Sequence, residues 1–170
     1  MSREQFRVRV TKDHLVFSAG HFITIETPVG QICERLHGHN YRVGVTVEGS
    51  LDDETLFVVD FSILKKTVRK FVDEIDHKVI LPLKNPKLAF REVGAQRHVD
   101  YFGQHTYTFP IVDCAMMPIE NSTAEMIAQY LAHRTRDELT AMGISNLTAI
   151  EMEVEESFGQ SATYRLGLGT

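Results

Sequence analysis

The sequence predicts an α+β fold in which two helices cover one face of an antiparallel four-stranded sheet, with an extra hairpin inserted between the helices. Three observations carry this. Apolar residues alternate with period two near both ends of the chain, they recur at spacings of three and four in two internal segments, and capping residues precede both of those segments. The resulting order, ββ–α–hairpin–α–ββ, suits helices gathered on one face of an antiparallel sheet.

The elements follow in chain order. Phe6, Val8 and Val10 alternate with Arg7 and Arg9, the pattern of a strand with one buried face. A polar break at Thr11-Lys12-Asp13 separates it from a second extended piece, Leu15 to Ala19. Tyr41, Val43, Val45 and Val47 then alternate with Arg42, Gly44, Thr46 and Glu48 in a long strand that stops at Gly49. The period changes at Phe61, Leu64, Val68, Phe71, Val72 and Ile75, which share one face of a helix running from about Asp60, its N-cap, to Ile75. Alternation at Leu88-Ala89-Phe90 and at Tyr107 with Phe109 places a hairpin in the 35-residue stretch from Lys84 to Pro118. Asn121-Ser122-Thr123 ahead of Glu125 reads as a capping-box-like start of the second helix. Met126, Ile127, Tyr130, Leu131 and Leu139 form its stripe, and Gly143 is placed to end it. Ile150, Met152 and Val154 alternate with Glu151, Glu153 and Glu155, and the last strand runs from Thr163 to Leu168.

The 170 residues fit one domain, 1–170, large enough to bury a core without staples. A net charge of −5 argues against nucleic-acid and anionic-membrane partners. No apolar run reaches the roughly 18 residues of a membrane span, and the N-terminal stretch lacks the apolar segment of a signal peptide. With two cysteines, Cys33 and Cys114, and no disulfide framework, the expected compartment is the cytoplasm.

Eight histidines stand against no tryptophan. His37-Gly38-His39 leads into the Tyr41 strand, where side chains two apart share a face, so both imidazoles can reach one ion. Composition alone would give roughly 0.4 such pairs, so the motif is weak by itself and two ordinary histidines are the plain alternative. His21 adds a third ring if its strand neighbours the pair. Three imidazoles with an open fourth position match a catalytic zinc site, whereas structural zinc sites are closed and usually rich in cysteine. His14, His98, His105 and His133 have no partner at ligand spacing and read as structural or solvent-facing.

Cys33 lies four residues before His37 and beside Arg35, and nearby positive charge would favour its thiolate. Cys114, in an apolar stretch, reads as packing. Glu34 is either a second base in the same loop or a solvated acid. Asp76-His77 ends the first helix, where the aspartate can orient the ring and the pair can serve as a proton relay. Glu156 continues the apolar row of Ile150, Met152 and Val154. Such an acid either turns to solvent or finds buried donors, and its carboxylate can take two parallel N–H bonds from an amino-imine edge.

Together, Phe17-Ser18-Ala19-Gly20-His21 and Cys33-Glu34-Arg35-Leu36-His37-Gly38-His39-Asn40-Tyr41 resemble the 6-pyruvoyl-tetrahydropterin synthase / 6-carboxy-tetrahydropterin synthase family. Val59-Asp60-Phe61 looks like the start of its first helix and Asp76-His77-Lys78 like its relay element. Asn121-Ser122-Thr123-Ala124-Glu125 is similar to the start of its second helix, and Val154-Glu155-Glu156-Ser157 with Tyr164 to its pterin-anchoring strand pair. The resemblance implies a tunnelling fold (T-fold) that assembles into rings, commonly homohexamers, with active sites between subunits. It implies Zn2+ on His21, His37 and His39, Cys33 as base assisted by Asp76 and His77, Glu156 on the pterin amino edge, and Thr123 and Glu125 near the same pocket. The implied substrate is 7,8-dihydroneopterin triphosphate. Loss of triphosphate gives the pyruvoyl product, and loss of acetaldehyde as well gives 6-carboxy-tetrahydropterin, a queuosine precursor.

Three features depart from the family's pattern. Phe22 follows His21 where many relatives carry arginine, and the 84–118 segment between the helices is longer than relatives usually carry. The loop also holds two signatures at once: the Cys33 spacing is that of the 6-carboxy branch, while Glu34-Arg35-Leu36-His37-Gly38-His39 reads as that of a folate-linked branch. The expected function is thus a zinc-dependent lyase of the 6-carboxy type. The alternatives are a folate-pathway enzyme that makes 6-hydroxymethyl-dihydropterin through Glu34 and a non-catalytic zinc- or pterin-binding module.

Overall fold

In the computed structural model, which describes residues 4–169, one long strand organises the sheet. Residues 1–3 and 170 of the expected 1–170 span lie outside the described residues. Strand β1 (Phe6–Val10) and strand β2 (Val16–His21) are followed by a small hairpin of β3 (Thr24–Thr27) and β4 (Gly30–Cys33), and then by β5 (His37–Gly49). The first half of β5 pairs antiparallel with β2, and its second half pairs with β1 on the same edge. A single 3-10 turn at Lys12–His14 separates the two partners, where the sequence has its polar break. On the other edge β5 pairs with β11 (Leu147–Ser157), which pairs with β12 (Gln160–Gly167).

The strands read from the alternation, β1, β2, β5, β11 and β12, all join one antiparallel run, but the sheet is larger than the expected four strands. Beyond β2 lie β6 (Lys78–Pro82) and β10 (Cys114–Met117), both joined in parallel. The inserted hairpin is instead a separate three-stranded meander of β7 (Leu88–Val93), β8 (Gln96–Tyr101) and β9 (Gln104–Pro110). Strands β6 and β10 are short and almost wholly apolar in sequence, so no apolar–polar alternation reveals them.

Helix α1 (Phe61–Asp73) starts where Asp60 caps the Ser62 N–H, at 2.6 Å, and buries Leu64, Val68, Phe71 and Val72. Helix α2 (Ala124–Ala141) is capped by Thr123, which accepts from the Met126 N–H. The Ser122–Glu125 capping box does not form: the Ser122 hydroxyl donates to the Phe22 carbonyl instead, at 2.7 Å. Gly143, at φ +82°, ends this helix as expected, and the Ile144 N–H reaches back to the Leu139 carbonyl. No helix among the described residues is long and apolar enough to cross a membrane.

The core lies between these helices and the inward row of the sheet, where Phe17, Tyr41, Val43, Val45, Met152 and Val154 are almost fully buried. Burying each such side chain stabilises the fold by about 1.5–3 kcal/mol. The opposite face is a charge ladder. Glu48 and Glu151 pair with Arg165, at 2.7 and 2.9 Å, and Glu153 pairs with Arg9 and Lys12, both at 2.9 Å. The acidic alternation along β11 therefore faces bases on β1, β12 and the connecting turn.

Gly49 ends β5 against the turn into β11, where a Cβ would collide with the Asn146 carbonyl oxygen and crowd the Leu147 backbone. Because the obstacle is main chain, Gly49→Ala should cost about 1–3 kcal/mol. Urea unfolding is expected to show a lowered midpoint, and an unchanged midpoint would contradict the close approach.

Candidate metal centre

The site grows from the last rungs of the β2–β5 ladder. Phe17 sits opposite Tyr41 with stacked rings 4.7 Å apart, Ala19 sits opposite His39, and His21 sits opposite His37. One continuous inward row thus changes from core to ligand within four residues. The expected adjacency of His21 to the pair is realised, and the i, i+2 spacing puts His37 and His39 on that same face.

Backbone carbonyls set the tautomers. The Nδ1–H of His21 donates to the Ser122 carbonyl at 2.7 Å, and that of His37 to the Arg35 carbonyl at 2.8 Å. A carbonyl only accepts, so each ring carries its proton on Nδ1 and turns a bare Nε2 inward. The two bare nitrogens stand 3.1 Å apart, and the Nε2 of His39 is buried with no partner. His21, His37 and His39 each offer a ring nitrogen that could hold a metal ion, and these nitrogens all lie within 4.8 Å of one another. Two ligands at zinc–nitrogen distance on a tetrahedral ion would stand about 3.4 Å apart. Three converging ring nitrogens, those of His21 and His37 with tautomers set by carbonyls and that of His39 on a ring whose Nδ1 meets the Ser157 hydroxyl at 3.3 Å, therefore fit a metal ion. Burial pushes the fully buried His21 ring below its ordinary pKa; the Ser122 carbonyl and Glu156 oppose this, while His37 and His39 reinforce it.

Glu156 turns inward rather than to solvent. Its Oε1 lies 3.4 Å from the His21 Nε2 and 3.9 Å from that of His39, and it accepts the Tyr41 hydroxyl at 3.3 Å. Burial, and then the Glu156 charge, hold the Tyr41 hydroxyl well above the usual tyrosine range, so Tyr41 remains a donor. Thr123, Glu125 and Glu156 line one cavity of about 230 Å³ with Ile23, Gln160 and Ser161. These sequence-predicted residues are brought together.

The loop residues are arranged differently. Cys33 ends β4 opposite Thr24 and packs on a small apolar cluster of Phe22, Leu81 and Val99. Burial, and then the Glu34 charge, push its thiol up, so the thiolate expected from a neighbouring cation is not favoured, and Arg35 is exposed. The Glu34 N–H donates to the Ile23 carbonyl at 2.8 Å. Phe22, the departure from the family pattern that follows His21, is a core residue under a Tyr107 ring 5.0 Å away.

Asp76 and His77 form a dyad, with the His77 Nδ1 3.0 Å from the Asp76 Oδ2. The Asp76 Oδ1 accepts the Ser18 N–H at 2.8 Å. Against burial, which raises it, the Ser18 N–H and the His77 ring hold the Asp76 carboxyl below its ordinary range. The His77 side chain is 83% exposed and lines a cavity of about 490 Å³ with Ser18, Asn40 and Lys78. His39 also borders this cavity, but Ser18 and Asn40 alternate away from the face that carries the histidine rings, and the dyad makes no hydrogen bond or ion pair with the triad among the described residues. Among the described residues no hydrogen bond or ion pair links it to Cys33.

Ser122 and Asn121 are site residues that sequence reasoning treats only as helix caps. The Asn121 side chain receives the Thr24 N–H at 3.2 Å and donates to the Thr24 carbonyl at 3.0 Å, fastening the chain just past His21. Cys114 donates to the Pro110 carbonyl and packs on the same apolar cluster as Cys33.

Residues 9–166 match the family model of 6-pyruvoyl tetrahydropterin synthase. A Methanocaldococcus jannaschii protein named "Putative 6-carboxy-5,6,7,8-tetrahydropterin synthase" is 36% identical over 93% of this chain and 90% of its own length. The Plasmodium falciparum 6-pyruvoyl tetrahydropterin synthase structure superposes with a TM-score of 0.87 at 32% identity, covering 98% of this chain and all of that one. The Plasmodium vivax enzyme, at 30% identity and a TM-score of 0.86 over 97% of this chain and 99% of its own, is solved as variants in which a glutamate called the catalytic residue is replaced by alanine or cysteine.

Proposed function

The chain belongs to the 6-pyruvoyl tetrahydropterin synthase family, and from that premise we propose that it is a zinc-dependent lyase acting on 7,8-dihydroneopterin triphosphate, of the 6-carboxy-tetrahydropterin synthase type. The carrying observation is the convergence of three histidine ring nitrogens, two of them oriented by backbone carbonyls and the third ring held at the Ser157 hydroxyl, beside a cavity walled by an inward carboxylate. His21, His37 and His39 would hold Zn2+, leaving a position for substrate. When bound, the ion acts as a Lewis acid toward the side-chain hydroxyls and acidifies the neighbouring C–H.

The chain's own groups do the remaining work. Glu156 takes the pterin amino edge through two N–H bonds, and Tyr41 holds that carboxylate in orientation. Thr123 and Glu125 close the far wall of the cavity. Cys33 removes the proton and returns one to the departing fragment. Its thiol is pushed up in this environment, so an approaching positive charge is required to populate the thiolate.

The cavity, at about 230 Å³, falls below the roughly 300–1,000 Å³ of most small-molecule sites. That size, with the dyad on the other face, supports a ring oligomer such as a homohexamer in which Asp76 and His77 of one copy serve the triad of the next. Arg35 and Lys78 are the bases proposed to meet the triphosphate, and residues 1–170 are read as one cytoplasmic domain.

A second reading has its own support. The Plasmodium vivax relative has a glutamate named as its catalytic residue, and Glu34 adjoins a cysteine whose thiol burial keeps protonated. In that reading Glu34 is the acid–base group and the product is 6-hydroxymethyl-dihydropterin. Zinc-loaded protein incubated with dihydroneopterin triphosphate is expected to release triphosphate and acetaldehyde, identified by mass spectrometry. Intact substrate after long incubation would overturn both readings.

A further inference from the structure

The three-stranded meander β7–β9 touches the loop that carries Cys33 and Glu34 at one polar point. The Leu36 N–H donates to the phenol oxygen of Tyr107, on β9, at 3.2 Å across 71 residues of sequence. The same peptide unit has a second engagement. Its other end is the Arg35 carbonyl, which accepts the Nδ1–H of His37 at 2.8 Å. A peptide is planar, so its C=O and N–H turn together. If this unit rotated, an N–H would face the Nδ1–H of His37, two donors would oppose each other, and the bare Nε2 would no longer be favoured.

Tyr107 is well placed to prevent that rotation. Its ring packs on Phe22 at 5.0 Å and Phe109 at 5.6 Å, and it sits opposite the fully buried Val99 in the β8–β9 ladder. Arg35 and Leu36 are themselves exposed, so little else restrains the unit. Resting on the reading that His21, His37 and His39 hold zinc, we propose that Tyr107 is a positioning residue of the metal site, fixing the peptide whose carbonyl orients His37. The meander is then a brace for the ligand loop, in addition to packing on the apolar cluster beside it.

The test measures zinc affinity of the full chain by competition with a chromophoric chelator, with no turnover involved. Tyr107→Phe keeps the ring and removes the acceptor; zinc binding should weaken roughly 3- to 10-fold, the effect of one lost hydrogen bond acting through a ligand. Phe109→Leu loosens the ring stack but keeps the phenol; it should lower the melting temperature and leave zinc affinity within about twofold. Unchanged affinity in Tyr107→Phe, with stoichiometric binding in the parent, would overturn the brace and leave the metal reading standing. Equal weakening in Phe109→Leu would also overturn it, since packing alone would then account for the effect. A parent chain that binds no zinc would remove both.

Discussion

Replacing His21 with alanine is expected to lower zinc affinity by more than roughly 100-fold, beyond what losing a supporting partner costs, and to abolish turnover. His21 is fully buried, and its Nε2 is 3.1 Å from that of His37. Its removal takes away one of three ligands and strands the Ser122 carbonyl, which loses its donor. The metal-free variant should therefore also melt lower than the metal-free parent. Metal content after dialysis, read by atomic emission, gives the answer directly. Stoichiometric zinc retained at parental affinity would mean that the three histidines are not the metal site.

The second large effect separates the two groups of the ligand loop. Under the 6-carboxy reading, Cys33→Ala should lose about 10²- to 10⁴-fold in kcat, the usual contribution of a positioned acid–base group, while Glu34→Ala keeps the same product at a rate within about tenfold. The inverse result, with 6-hydroxymethyl-dihydropterin lost in Glu34→Ala and Cys33→Ala still active, would transfer the role to Glu34. The elevated thiol makes this comparison informative. Cys33 packs on Phe22 and lies near a carboxylate, so its activation depends on charge brought by substrate, metal or a second copy, and an alanine there tests that dependence.

Much of this site was legible in the chain. Period-two alternation set the inward face of β5, and His37 and His39 fall on it in phase with Tyr41, Val43 and Val45. The same alternation along β11 carried Glu156 inward with Met152 and Val154, so its half-buried place beside Tyr41 follows from its position in the row. Asp60 and Thr123 announced the two helices because a capping side chain acts on backbone only two or three residues away. Local periodicity and local hydrogen bonding leave marks that a sequence displays.

Tertiary structure alone decided the rest. The carbonyls of Ser122 and Arg35 fix which nitrogen of His21 and His37 is bare, and a carbonyl belongs to every residue type, so no side chain signals it. Asn121 holding Thr24, Tyr107 holding Leu36 and the parallel strands β6 and β10 all join segments far apart in the chain. The Asp76–His77 pair was readable as a dyad, yet its place on the opposite face of the sheet was not. The sequence by itself determined which residues share a face; which faces meet, and which backbone groups they meet there, depended on packing between elements that no repeat period encodes.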